Sequence, residues 1–399
     1  MVKTAFLWVL ALAVFPLPAL TQTFAEHETP HYRVLSELGE AHARETGTKL
    51  EALMVLYNRY LRFDVDDIDG PLRARVFSSR ERYDDYLSRI VDATRDDFVY
   101  LHYGDPRGSE LVGYCADASA CGRGGDTSLS HQAFVQFLRA FVPNPPLWLR
   151  EGFAVYFELV EFDGDSGSAI LRENLSWLDT LQSILNGTAG VPTIPIRELL
   201  VMDVDDARER LDAFYPQAWG LVSFLLNSSD RDINRIVWDS ISALKPDSTM
   251  GENSRNVVHR AFGWQSDEEL ADSHAAYVAG RKSFRSLVEA GIERYEAGDA
   301  AGARSSFTEA AELRGESFIP PYYLGLIAYD DGDHALADGH FTDALARGSG
   351  EPLTYYALGL NAYADKRMDD ARRYLERAVM LDPTAYGSKA NQLLERMGN

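Results

Sequence analysis

Residues Thr127–Glu158 read TSLSHQAFVQFLRAFVPNPPLWLREGFAVYFE. Phe134, Val135, Leu138 and Phe141 recur at helical spacing, which gives one helix with an apolar face and His131 near its start. Pro143, Pro145 and Pro146 end that helix. Trp148-Leu149 and then Glu151-Gly152-x-Ala154-x-Tyr156-Phe157 carry a second one.

The polar residues in this frame invite comparison with a metal motif. In H-E-x-x-H, two imidazoles four residues apart share a helix face and hold zinc, the Glu deprotonates the bound water, and a third ligand, often a Glu, follows on a later helix. Here His131 holds the first ligand position, Gln132 the position of the base, Val135 the second ligand position and Glu151 the third. Two ligand types survive and the base is gone. The layout resembles the gluzincin metallopeptidases, in particular the bacterial "peptidase MA-like" group, with a degenerate motif.

The resemblance extends over roughly residues 30 to 280 and implies an α+β fold. Upstream, His31–Ser36 reads as a strand leading into a helix with Leu50, Leu53, Leu56 and Tyr57 at helical spacing. The alternating Leu72–Phe77 follows, then a helix around Tyr83 to Ile90. Downstream, Phe214-Tyr215-Pro216-Gln217-Ala218-Trp219 looks like the Y-x-Q-A-W helix of this group, running to Leu226. In working gluzincins a Tyr from this region can bond the oxyanion, so the resemblance would carry that role to Tyr215.

Each of these residues also has a plain structural reading. His131 suits a packed or capped histidine, Glu151 a carboxylate in the first turn of its helix favoured by the macrodipole, and Tyr215 a core aromatic with a bonded hydroxyl. One His and one Glu without a third protein donor hold zinc weakly. His102, in the strand-like Phe98–His102, is the nearest upstream imidazole, but nothing in its spacing singles it out. Gln132 bears a neutral amide that cannot take the proton of a metal-bound water, a contribution typically worth about 10²- to 10⁴-fold. Neither a catalytic residue nor a metal site is therefore expected, with zinc the cofactor only if an unorthodox site exists.

The N-terminus sets the expected compartment. Lys3 precedes the apolar run Ala5–Leu20, too short for a comfortable membrane span, and small residues follow that permit cleavage after Thr21 or Ala25. Residues 1–25 thus read as a signal peptide, and the protein as exported, periplasmic or extracellular, with no transmembrane segment. The two cysteines, Cys115 and Cys121, sit in a Gly/Asp-rich stretch where an oxidising compartment favours a local disulfide. A formal net charge of -22 argues against nucleic acid and anionic lipid as partners. The acidic runs Asp64–Asp69 and Asp203–Asp206 lack the Gly and terminal Glu of an EF-hand and read as solvated loops.

The C-terminal part repeats itself. Gly291, Gly325 and Gly359 are 34 residues apart, as are Tyr295, Tyr329 and Tyr363, Ala303, Ala337 and Ala371, Phe307, Phe341 and Leu375, and Ala310, Ala344 and Ala378. That period and residue pattern resemble the tetratricopeptide repeat, a helix-turn-helix unit in which small residues admit close helix contact and Phe or Leu fills the gap. Turns fall at Gly298-Asp299, Gly332-Asp333 and Lys366-Arg367. The units are about 284–317, 318–351 and 352–385, followed by a capping helix from about 386 with Leu393, Leu394 and Met397.

The sequence thus predicts an α+β gluzincin-like metallopeptidase domain, 26–282, followed by an all-α tetratricopeptide-repeat solenoid, 283–399. Helices around Ile233–Leu244, Ser254–Phe262 and Asp267–Ala279 close the first domain. The function expected is that of a pseudopeptidase acting through protein or peptide binding by its repeats. The alternatives are an active zinc metallopeptidase and a purely structural repeat scaffold.

Overall fold

In Tyr32–Ser36 (strand β2) the residues Tyr32, Val34 and Ser36 are buried, and Arg33 between them is exposed. This period of two is that of a strand with one face on a core. Two further strands continue the sheet beside it: β3 (Leu72–Phe77) pairs parallel to β2, and β5 (Glu110–Tyr114) parallel to β3. Both outer strands, β1 (Ala25–Glu28) on β2 and β4 (Val99–Leu101) on β5, run antiparallel, giving the order β1-β2-β3-β5-β4. The computed structural model of the chain describes residues 24–91, 98–103, 106–115, 125–163, 167–348 and 350–397.

The chain divides into two compact units, residues 1–141 with 157–172, and residues 142–156 with 173–399. The first contains the sheet. Helix α1 (Glu40–Leu61) packs on β1 and β2, where Gly47 lets the helix approach Thr29 and Val34. Helix α2 (Arg80–Leu87) packs on β3 and β5, closing a core of Phe77, Tyr83, Leu87, Leu101 and Val112. Helix α3 (Gly125–Phe141) is joined to α1 by the Tyr57 hydroxyl, which donates to the Ser130 carbonyl at 2.6 Å, and to β3 by Gln136 Nε2 donating to the Arg73 carbonyl at 2.9 Å. Tyr57, Phe134, Phe137 and Phe157 form one aromatic cluster. A hairpin of β6 (Val160–Asp163) and β7 (Ser168–Leu171) lies on α1.

Among the described residues the second unit is helical throughout. Helix α4 (Leu147–Tyr156) is followed by α5 (Leu178–Leu185), α6 (Ile196–Val201) and the short α7 (Val204–Arg208). Then come α8 (Leu211–Asn227), α9 (Arg231–Ala243), α10 (Met250–Ala261) and α11 (Asp267–Ala279). α8 begins three residues before Phe214, so Pro216 lies inside it. The run Asp203–Asp206 is not a loop: the Asp203 carboxylate accepts the backbone N–H groups of Asp205 and Asp206 and caps α7. The run Asp64–Asp69 likewise holds one 3-10 turn at Val65–Asp67, capped by Asp64.

Three helical pairs follow in the same unit: α12 (Phe284–Glu296) with α13 (Ala300–Leu313), α14 (Ile319–Asp330) with α15 (His334–Ala346), and α16 (Glu351–Ala364) with α17 (Met368–Leu381). The terminal helix α18 (Pro383–Met397) packs on α17. It begins at Pro383, a few residues before the expected start near 386, with the proline in its first turn. No helix of the described residues is long and apolar enough to cross a membrane.

Candidate functional site

Two places were singled out by the sequence, the region around His131 and the repeats. On α3, His131 presents Nδ1 to Oε1 of Glu158 at 2.9 Å, with 15% and 18% of the two side chains exposed. Glu158 was not foreseen, since 27 residues and the proline-rich break separate the two in sequence. The only hint in sequence is that a carboxylate directly follows Tyr156-Phe157.

Beside His131, the carbonyl oxygen of Gln132 accepts the backbone N–H of Tyr100 at 3.3 Å. The residue at the position of a catalytic base thus ties α3 to strand β4. Val135 is buried, 8% exposed, and offers no lone pair. His102 lies exposed just after β4, its ring 5.9 Å from that of Tyr100.

Glu151 and Tyr215 belong to the other unit. Glu151 is the fifth residue of α4 and lies beyond the first turn, so the macrodipole does not account for it. It is 8% exposed and takes an ion pair from Arg150 Nε at 2.7 Å. Its neighbour Gly152 is required by packing, because a Cβ there would stand 2.4 Å from the Ala218 carbonyl oxygen of α8. Ala218 and Trp219 are buried, and Gln217 accepts the Ile194 N–H at 3.1 Å while donating to the Ala213 carbonyl. Tyr215 is half-buried, with its ring 5.5 Å from that of Phe214. The conspicuous Glu-Gly and Gln-Ala-Trp segments therefore have packing work in α4 and α8.

Among the described residues no group of three or more His, Cys, Asp or Glu side chains is arranged to hold a metal ion. The expected pair Cys115 and Cys121 includes residue 121, which lies outside the described residues; Cys115 itself is buried just past β5. The expected signal peptide also falls almost wholly on residues outside them.

The repeats are periodic in three dimensions as well as in sequence. A Cβ on Gly291 would lie 2.8 Å from Phe307, one on Gly325 2.5 Å from Phe341, and one on Gly359 2.7 Å from Leu375. The six alanines at 303, 310, 337, 344, 371 and 378 are each 0% exposed. Each turn uses one left-handed residue, Gly298 at φ 80°, Gly332 at φ 76° and Lys366 at φ 60°. Asp299 and Asp333 then cap the second helices, whereas Arg367 in the third copy makes no side-chain cap. It is anchored instead by ion pairs to Asp338, Asp365 and Asp370.

Polar contacts lock successive pairs. Asn361, fully buried on α16, donates to the His334 carbonyl at 2.9 Å and to Asp338 at 2.7 Å on α15. Tyr295 of α12 donates to Asp330 of α14 at 2.7 Å. No curated protein matches the chain. Residues 352–385, from the second residue of α16 through α17 to the start of α18, match the family model of the tetratricopeptide repeat.

Proposed function

We propose that the protein is an exported, non-catalytic relative of the peptidase MA-like gluzincins that acts by capturing a protein partner through its repeats. The observation that carries this is the stack of three like helical pairs, the third matching the tetratricopeptide repeat. Stacked pairs of this kind present an extended surface to peptides and helices. The gluzincin part of the reading is supported by an α+β order of two strands, α1, β3, α2 and two further strands before α3. The chemistry of Gln132 and Val135 speaks against hydrolysis, since one cannot take a proton and the other cannot bind metal.

The division between residues 282 and 283 belongs to the same proposal. So does export with cleavage after Thr21, a site that leaves Phe24 on Phe77, ring centroids 5.4 Å apart, and β1 intact. A Cys115–Cys121 disulfide follows from export, and thiol labelling of exported native protein checks it. No labelling before reduction is expected.

A scaffold role is the second reading, favoured by contacts that fasten α11, the connection after it and the N-cap of α12 to α5. The Ser283 hydroxyl donates to Asp179 of α5 at 2.5 Å, and Gln182 Nε2 donates to the Val278 and Arg281 carbonyls, both at 3.0 Å. Affinity capture from an extract of the exported fraction separates the two. The full chain should recover a partner, and a chain ending at residue 282 with a native near-UV signal should not. Recovery by the shortened chain would move binding to the α+β part, and no recovery by either would favour the scaffold.

A further inference from the structure

On the third helical pair an open cleft of about 440 Å³ is lined by Tyr355 of α16 and by Arg373, Tyr374, Glu376, Arg377 and Met380 of α17. Its floor is aromatic, the Tyr355 and Tyr374 rings lying 6.3 Å apart with an interplanar angle of 30°. Two guanidiniums one helical turn apart stand over that floor. Arg373 is 5.0 Å from the Tyr374 centroid and Arg377 is 5.8 Å from the Tyr355 centroid. Met380 at the end of the cleft is 62% exposed.

Arg377 differs in charge pairing from several other repeat arginines. Arg304 is held by Asp331, Arg347 by Asp343, Arg367 by three aspartates, and Arg373 by Asp370 at 2.8 Å. Arg377 contacts Tyr355 and, at 3.9 Å, the Met380 sulfur, and among the described residues it makes no ion pair with a carboxylate. In a chain of net charge -22 such a cation beside exposed apolar surface is out of keeping with its surroundings. Guanidinium forks recognise carboxylates in a plane, and stacking on a ring pre-sets their orientation. A thioether beside aromatic rings accepts varied apolar side chains.

We infer that this cleft docks an acidic segment of a protein partner, taking one carboxylate on Arg377 and Arg373 and an adjacent apolar side chain on Tyr355 and Met380. The inference rests on the reading of the repeats as a protein-binding module and names the chemistry of the partner. An open cleft ending in a largely exposed Met380 suits side chains of a passing segment better than an enclosed small molecule. Glu376 on the rim selects against segments that present a second carboxylate on that side.

The test is a titration of the full chain with a dye-labelled synthetic hexapeptide alternating glutamate and phenylalanine, followed by fluorescence anisotropy. Arg377→Gln should weaken binding about tenfold, the loss expected for one charge-assisted contact. Arg373→Gln with Arg377→Gln should abolish saturation, as should Met380→Glu, while circular dichroism stays native because all three side chains are exposed. A peptide alternating lysine and phenylalanine should not bind. Equal affinity of Arg377→Gln and the native chain, equal binding of the two peptides, or no binding of the acidic one overturns the inference. Captured partner that holds the double variant as tightly as the native chain also overturns it while leaving the repeat reading standing. The capture comparison with the chain ending at 282 decides that reading separately.

Discussion

Gly325 and Phe341 occupy one another's space: a single methyl added at 325 would lie 2.5 Å from the buried Phe341 ring. The contact recurs 34 residues on either side, so it sets the distance between the two helices of every pair. Gly325→Ala should therefore destabilise the protein by about 1–3 kcal/mol through overpacking. Gly339, in the middle of α15 with nothing within 4 Å of a Cβ, offers the contrast. Gly339→Ala should stabilise by about 0.5–1 kcal/mol through helix propensity. Urea midpoints of the two variants should move in opposite directions.

The third turn departs from the other two at one residue. Lys366 adopts φ 60° where Gly298 and Gly332 supply φ 80° and φ 76°. A left-handed conformation costs a side-chain-bearing residue roughly 1–2 kcal/mol, and glycine gives back about 0.5–1 kcal/mol of that by loosening the unfolded chain. Lys366→Gly should thus raise stability by a net of about 0.5–1 kcal/mol. Thermal unfolding checks it, and Lys366→Val, which adds a branched Cβ in the same conformation, should lower the midpoint.

Much of this architecture is legible in the sequence wherever one local period repeats. Leu72–Phe77 and Asp267–Ala279 form a strand and a helix with the expected ends, and the 34-residue period locates each glycine opposite its Phe or Leu. Strand β5 escapes notice because Glu110 and Gly113 spoil its pattern. Glu110 is instead neutralised by Arg75 at 3.1 Å, and Gly113 makes room for the Phe98 ring. The β6–β7 hairpin is short and half-exposed, so its sequence carries little alternation. In the candidate site, the residue types at 131, 132, 135 and 151 can be read, but not their partners. Glu158, Tyr100 and Arg150 are set by tertiary approach or by a rotamer, neither of which a motif encodes.

His274 makes stability depend on pH. It is buried on α11 against Phe224 of α8, and burial pushes its pKa down to about 4, partly offset by a hydrogen bond to the Gly220 backbone. The unfolded chain holds this imidazole near 6.5, so between about 6.5 and 4 the unfolded state binds the extra proton. The neutral ring is at no disadvantage above pH 6.5, and stability falls as pH drops through this window, by on the order of 3 kcal/mol in all. Urea midpoints measured from pH 7 to pH 4 should decline, and His274→Leu should flatten that part of the decline. An unchanged slope in the variant would assign it to other groups.

Zinc content tests the account most directly. His131 is engaged by Glu158, Gln132 by the Tyr100 N–H, Glu151 by Arg150, and Val135 has no donor atom. Elemental analysis of the full chain, purified without chelator, should find well under one zinc per chain, and added zinc should not raise its melting temperature. A zinc content near one per chain that a chelator removes with loss of stability would contradict the account and make the protein a metalloprotein.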